Sequence, residues 1–242
     1  MSYGTNILCI YTNKLSEMVS NSMINKKKLV IFGSGTLAEV ATYYFEKDTE
    51  YELIGYVEDD DFESTKDKLL DRPIFSFSNA VKKFSVSDVD FFVSIGYRKT
   101  NTIRQSRYEQ VKSAGYSCAS YVSPKAVNYS SKIGDNCFIL ENNVLQPFTI
   151  IGNNVIMWSG NHLGHHSILD DNVFVTSHVV ISGKCKIGRN SFLGVNSCLH
   201  DGVVVGQKSV IGAGSIVSKS CKDRSVFLAE STASRVIERD LI

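Results

Sequence analysis

An excess of charge of one sign is absent from this sequence. With 26 Lys and Arg against 25 Asp and Glu in 242 residues, the formal net charge is +1. That balance gives no electrostatic case for a nucleic acid or an anionic membrane surface as partner, so an anionic ligand has to be held by local devices. Paired cysteines are missing as well. Cys9, Cys118, Cys137, Cys185, Cys198 and Cys221 form no C-x-x-C pair and no close framework, which points to a reducing, cytoplasmic setting. No apolar run approaches the length of a membrane span. Ile7 to Tyr11 is too short for a secretory signal and has no basic flank before it. Histidine is scarce too: there are five, and His162, His165 and His166 fall together in the stretch GNHLGHHS.

What is present divides into two halves of different period. Residues 1–25 read as an extension with little structure, because Met23 to Lys28 resembles a start leading straight into a strand. From 26 to 122 strand and helix alternate. Leu29 to Phe32 is a short buried strand, Thr36 to Lys47 a helix, Leu53 to Val57 a strand, and Phe91 to Ile95 a strand followed by Gly96 and a helix to about Ala114. Tyr116 to Val122 closes the series. Strands alternating with helices predict a small parallel sheet covered by helices.

Residues 123–222 obey a six-residue rule, and 223–242 form a tail. From Val127 through Ile133, Ile139 and so on to Val217, sixteen consecutive sixth positions are aliphatic. Average composition excludes chance as the cause. Four positions after each hit the residue is small or slender, as at Cys137, Asn143, Ser167, Cys185 and Ser209. This is the hexapeptide signature of a parallel β-helix. Each hexapeptide forms one face of a triangular prism, and the aliphatic and small residues point inward. Stacked coils spaced at about 4.8 Å make a rod roughly 25 Å long.

The register separates the histidines. Counted from Leu163, His165 and His166 are third and fourth in their hexapeptide, at a corner and outside the core, and His162 ends the preceding hexapeptide. Residues 18 apart stack, which sets Gly183 above His165. A base with a backbone N–H one coil away is a minimum kit for acyl transfer, one taking a proton and the other steadying an oxyanion. A solvent-facing polar patch and a zinc site are the alternatives. Zinc is disfavoured because adjacent side chains diverge on an extended backbone and no histidine stacks over this pair.

Three segments then resemble one family. Leu163-Gly164-His165-His166-Ser167-Ile168, Ser182 to Gly188 and Phe192 to Ser197 are similar to the PglD/NeuD-type sugar acyltransferases. The resemblance implies a small Rossmann-like N-terminal domain followed by a left-handed β-helix, and a homotrimer. It also implies acetyl-CoA as co-substrate, no metal, and a sugar nucleotide or sugar acceptor in bacterial lipopolysaccharide or capsule biosynthesis. His165 matches the catalytic base, and His166 stands where the family often has an assisting glutamate. Gly183 and Ala213 match backbone positions beside the pantetheine arm and thioester. A further histidine of some members is Phe174 here, with His178 nearby. The C-terminal Gly-x-Pro-Ala-Lys segment is replaced by Leu228-Ala229-Glu230-Ser231-Thr232.

In the N-terminal half, Gly33-Ser34-Gly35-Thr36-Leu37-Ala38 fits G-x-G-x-x-A after a strand, with Glu58 and Asp59 about twenty residues on. Read alone, it suggests a nicotinamide dehydrogenase, but the domain is short and a β-helix offers no hydride-transfer apparatus. Under the resemblance, the Gly33–Thr36 turn and helix N-terminus approach substrate phosphates. Glu58 or Asp59 then bonds a ribose or base, Gly96, Tyr97 and Arg98 border the pocket, and His162 lines the acceptor site. The resulting expectation is N-acetylation of an amino-deoxy sugar nucleotide by direct transfer. O-acetylation of a sugar hydroxyl is the first alternative, followed by a zinc enzyme resembling β-helical carbonic anhydrases. Buried Cys137, Cys185 and Cys221 are expected to pack rather than carry an acyl group.

Overall fold

The computed structural model describes residues 26–62 and 67–230. The extension expected at 1–25 and residues 231–242 of the tail lie outside the described residues. Strand β1 (Lys28–Phe32) sends Leu29 and Ile31 to one side of a sheet and Val30 and Phe32 to the other, and all four are buried. That two-residue alternation lets one strand supply two cores. Helix α1 (Thr36–Asp48) and strand β2 (Glu52–Glu58) follow, then the hairpin strands β3 (Lys68–Leu69) and β4 (Arg72–Ser76). Helix α2 (Phe77–Lys83), strand β5 (Val89–Val93), helix α3 (Thr102–Ser113) and strand β6 (Ser117–Cys118) complete the domain. The sheet order is β3-β4-β2-β1-β5-β6, parallel except for the β3–β4 hairpin.

Several boundaries differ from the sequence reading, two of them beside a cavity. β5 ends at Val93 rather than Ile95: Ser94 N–H still donates to Phe32 O at 2.8 Å, after which the chain lines that cavity. α3 starts at Thr102, since Lys99, Thr100 and Asn101 have φ of 51°, 51° and 62°. Left-handed residues cannot begin an α-helix.

From Tyr121 the chain winds into a parallel coil with three faces. The first face stacks seven strands from Tyr121–Val122 to Val226–Phe227, the second six from Val127–Asn128 to Ile216–Val217, and the third five from Lys132–Ile133 to Val204–Val205. The segment Tyr116–Val122 expected to close the N-terminal series is therefore split: Ser117–Cys118 pairs with β5, whereas Tyr121–Val122 pairs with Phe138–Ile139 of the coil. The inward aliphatic ladder from Ile139 to Val217 is buried to within a percent. Val127 breaks the expected pattern: it is 47% exposed and pairs with Val144 rather than Leu145. It lies at the end of the rod, where no coil lies beneath to hold the register.

The N-terminal domain covers the first face. Phe138, Ile156 and Phe174, outward residues of the coil, are buried against Ile31, Phe45 and Phe92 in one continuous core. Tyr121 donates to Asp48 at 2.5 Å and Tyr44 to Glu141 at 2.7 Å across the same junction. Alongside runs an asparagine ladder on the corner between the third and first faces. Asn136 Nδ2 donates to Asn154 Oδ1 and Asn154 Nδ2 to Asn172 Oδ1, both at 2.7 Å, while Asn136 Oδ1 accepts the Val93 N–H at 2.7 Å. All three asparagines are left-handed, with φ of 52°, 57° and 63°, a conformation that asparagine tolerates better than most residues.

Candidate functional site

The corner between the second and third faces brings two neighbouring histidines together. Leu163 anchors the turn in the core, and the chain then bends at His165 and His166, both exposed, with His166 left-handed at φ 61°. Divergence of the two side chains was expected from an extended backbone, and the turn overrides it. The rings stand edge to face at 88°, with His165 Nδ1 and His166 Nδ1 3.1 Å apart. Phe148, one coil below, lies against the His166 ring at 4.7 Å. Gln146 Oε1 accepts the His165 backbone N–H at 2.8 Å.

The opposite edge of the His165 ring faces Gly183. A Cβ on Gly183 would stand 2.7 Å from both Nε2 and Cε1 of His165. With Nδ1 turned to His166 and Nε2 to the glycine, an Nδ1–H tautomer leaves the Nε2 lone pair free at Gly183. The ring thus requires glycine at 183, but the backbone donor expected there is not free. Gly183 N–H already donates to Asp201 Oδ1 at 2.8 Å, so it meets an acyl oxygen only if Asp201 moves. Gly183→Ala tests the arrangement. The clash falls on an exposed, rotatable imidazole rather than on backbone, so the thermal midpoint should stay near wild type while activity falls about 100-fold or more. Unchanged turnover would mean that the His165–Gly183 contact has no catalytic part.

Other residues named from the sequence are dispersed. Phe174 is on the first face, 3% exposed beneath Tyr97 (5.2 Å) and the Arg104 guanidinium (5.5 Å). It is therefore closed to a coenzyme, because the N-terminal domain covers that face. His178 and Ala213 belong to the corner between first and second faces, where the His178 ring lies on Gly160. His162 is half-buried on the second face between the two corners, paired with Val144 and Val180. It lines no part of the N-terminal cavity. Among the described residues no three His, Cys, Asp or Glu side chains converge as metal ligands would, and no helix is long and apolar enough to cross a membrane.

Gly33, Ser34, Gly35, Thr36, Glu58, Asp59, Gly96, Tyr97 and Arg98 all line one cavity of about 1020 Å³ at the carboxyl ends of β1, β2 and β5. Gly33 is required by the turn: its φ is 115° and a Cβ would meet Ser94 O at 2.8 Å. Ser34 hydroxyl donates to Glu58 Oε1, while Glu58 Oε2 and Ser94 Oγ are buried with no partner among the described residues. Asp59 is bonded by Arg107 at 2.7 Å, and Arg98 and Lys99 add positive charge at the rim. The sequence reading missed Ser94, Lys99 and Arg107 here, and Gln146, Phe148 and Asp201 at the histidine corner. Asp201 carried a signal, since it stands 18 residues after Gly183 in the stacking register.

Residues 28–111 match the PglD N-terminal domain, residues 130–165 the bacterial transferase hexapeptide (six repeats), and residues 185–219 the hexapeptide repeat of succinyl-transferase. The acyl-[acyl-carrier-protein]–UDP-N-acetylglucosamine O-acyltransferase of Sinorhizobium fredii is 29% identical over 104 residues, covering 40% of this chain and 38% of the relative. The carnitine operon protein CaiE of Escherichia coli is 28% identical over 111 residues, 46% of each chain. The chain thus spans less than half the length of the curated relatives it matches. Two solved structures share its fold. The acetyltransferase domain of PglB from Neisseria gonorrhoeae superposes at TM-score 0.74 with 22% identity, over 84% of this chain and 97% of that one. PerB from Caulobacter crescentus, in complex with CoA and GDP-perosamine, superposes at TM-score 0.74 with 21% identity, over 84% and 94%. The chain carries a PglD N-terminal domain ahead of hexapeptide repeats wound into a left-handed β-helix, and this combination matches the PglD/NeuD-type family.

Proposed function

We propose that this protein transfers the acetyl group of acetyl-CoA to the amine of a nucleotide-linked amino-deoxy sugar, with His165 as general base. The observation that carries the reading is the His165 ring held between His166 Nδ1 and Gly183. Acetyl-CoA supplies an activated thioester. His165 Nε2 takes the proton of the attacking amine as the C–N bond forms, and returns it to sulfur as the C–S bond breaks. His166 accepts the Nδ1–H bond and spreads the charge that His165 gains, the task a carboxylate often performs. A cysteine relay has no support: burial pushes the Cys137 thiol up to about 12 and raises that of Cys185, so both stay protonated and inward.

The cavity suits the nucleotide. The α1 N-terminus at Thr36 and the cations Arg98 and Lys99 favour phosphate, while the unpaired Glu58 Oε2 awaits a hydroxyl or N–H donor. Similarity to PerB and to perosamine N-acetyltransferase, both from Caulobacter crescentus and both solved with CoA and GDP-perosamine, supports an amine acceptor. The test is release of CoA thiol from acetyl-CoA against a panel of nucleotide-linked amino sugars. No acceptor-dependent thiol above background across the panel would sink the reading.

A homotrimer fits this geometry. The cavity lies over the first face, whereas His165 is on the opposite corner of the prism. Val180 and Ile216 on the second face and Val204 on the third are exposed aliphatics suited to another rod. The cavity of one copy then serves His165 of the next. Gly35 has open space at its Cβ position, so Gly35→Trp fills the cavity. Co-expressed in equal amounts with His165→Ala, the two inactive chains should recover about a quarter of wild-type activity through random mixed oligomers. A cis arrangement predicts no recovery.

A further inference from the structure

Two groups approach Gly183 from opposite sides along the rod. The His165 imidazole lies on it from the coil below, and Asp201 takes its N–H at 2.8 Å from the coil above. The bond from above is part of how this coil is built. On the third-to-first corner Asn153 caps the Asp135 N–H and Asp171 caps the Asn153 N–H, each 18 residues on. Gly183 differs in its neighbour: there the capped N–H stands beside the His165 imidazole.

We propose that Asp201 is an internal plug of the acyl-oxygen site, its carboxylate occupying the position the thioester carbonyl oxygen takes during transfer. The inference rests on the transfer reading above. Asp201 is exposed, so its side chain turns into solvent without disturbing the core. A carboxylate oxygen on a backbone N–H makes a charge-assisted bond, stronger than the bond a neutral carbonyl makes to the same donor. The resting carbonyl therefore competes poorly. The carboxylate has to be displaced in the bound thioester and in the transition state alike, so the plug weakens acetyl-CoA binding and gives the transfer step itself no advantage. Asp201 is thus a residue acting through the Gly183 N–H, outside the proton-transfer path.

The test compares acetyl-CoA with free CoA, which lacks the competing carbonyl, by titration calorimetry on the full chain. Asp201→Ala should tighten acetyl-CoA about tenfold and leave the dissociation constant of CoA within about twofold. Asp201→Asn keeps an acceptor for the N–H, and so the construction of the coil, while removing the charge. It should shift the same ratio in the same direction by less, which keeps the test decisive if the alanine variant folds poorly. An unchanged ratio of the two constants, or an equal shift in both, overturns the plug and leaves the transfer reading standing. Wild-type protein that binds neither ligand overturns the transfer reading and the plug with it.

Discussion

His165→Ala should lower kcat by about 10²–10⁴-fold, the range that general-base catalysis typically contributes, with the thermal midpoint unchanged. The second half of that expectation is as informative as the first. His165 is exposed, and its side chain has ring contacts with His166 and Gly183 rather than with the aliphatic core. Truncation therefore leaves no cavity and no buried donor without a partner. His166→Ala is the companion variant, removing the partner at His165 Nδ1 and leaving Nε2 in place. If His166 only fixes the tautomer and ring position, its loss should cost less than that of His165. Near-normal thiol release by His165→Ala in the presence of acceptor would remove the base assignment altogether, and equal defects in the two variants would mean that the pair acts as one unit.

Arg104→Ala should destabilise the protein by about 3 kcal/mol or more. Arg104 is fully buried between α3 and the coil, with no carboxylate partner among the described residues. Its guanidinium donates to Asn172 O at 2.9 Å and Asn101 Oδ1 at 3.1 Å, with longer bonds to the carbonyls of Ile95, Gly96 and Asn154. Burial pulls it down to about 9, so it remains charged at neutral pH and several carbonyl oxygens share one cation. Alanine leaves those acceptors buried without a donor and opens a cavity beneath the loop that borders the N-terminal cavity. Urea denaturation followed by both fluorescence and circular dichroism checks the loss, and separation of the two traces would signal that the domains unfold apart. Arg104→Lys should recover little, because one ammonium cannot reach acceptors arranged around a planar fork. A midpoint within error of wild type would show that the junction rests on the aromatic cluster around Phe45 and Phe138 instead.

Much of this molecule was legible before any coordinates. The six-residue period from Ile139 to Val217 fixed the three-faced coil because inward positions in a stacked solenoid repeat strictly, and one slipped residue would expose a whole face. The same period placed His165 under Gly183, and the glycine turn with its acidic residues twenty positions on assembled into one cavity. Local rules failed where a neighbouring chain segment decided the outcome. Phe174 reads as an outward coil residue, and only the N-terminal domain lying over the first face buries it. The asparagines at 136, 154 and 172 repeat every 18 residues, yet their role as a ladder appears only once Asn136 Oδ1 is seen to accept from Val93 of β5 and Asn172 O from Arg104.

The sequence by itself therefore determined the coil, the corner on which His165 stands and part of the cavity lining, since each follows from periodicity, a short motif or the family resemblance. Only the tertiary structure decided that Asp201 holds the Gly183 N–H, that the two histidine rings turn toward each other, and that the cavity and His165 lie on opposite sides of one chain. Those facts depend on side-chain directions at left-handed turns and on how two domains dock. Neither is encoded in the spacing of residue types along the chain.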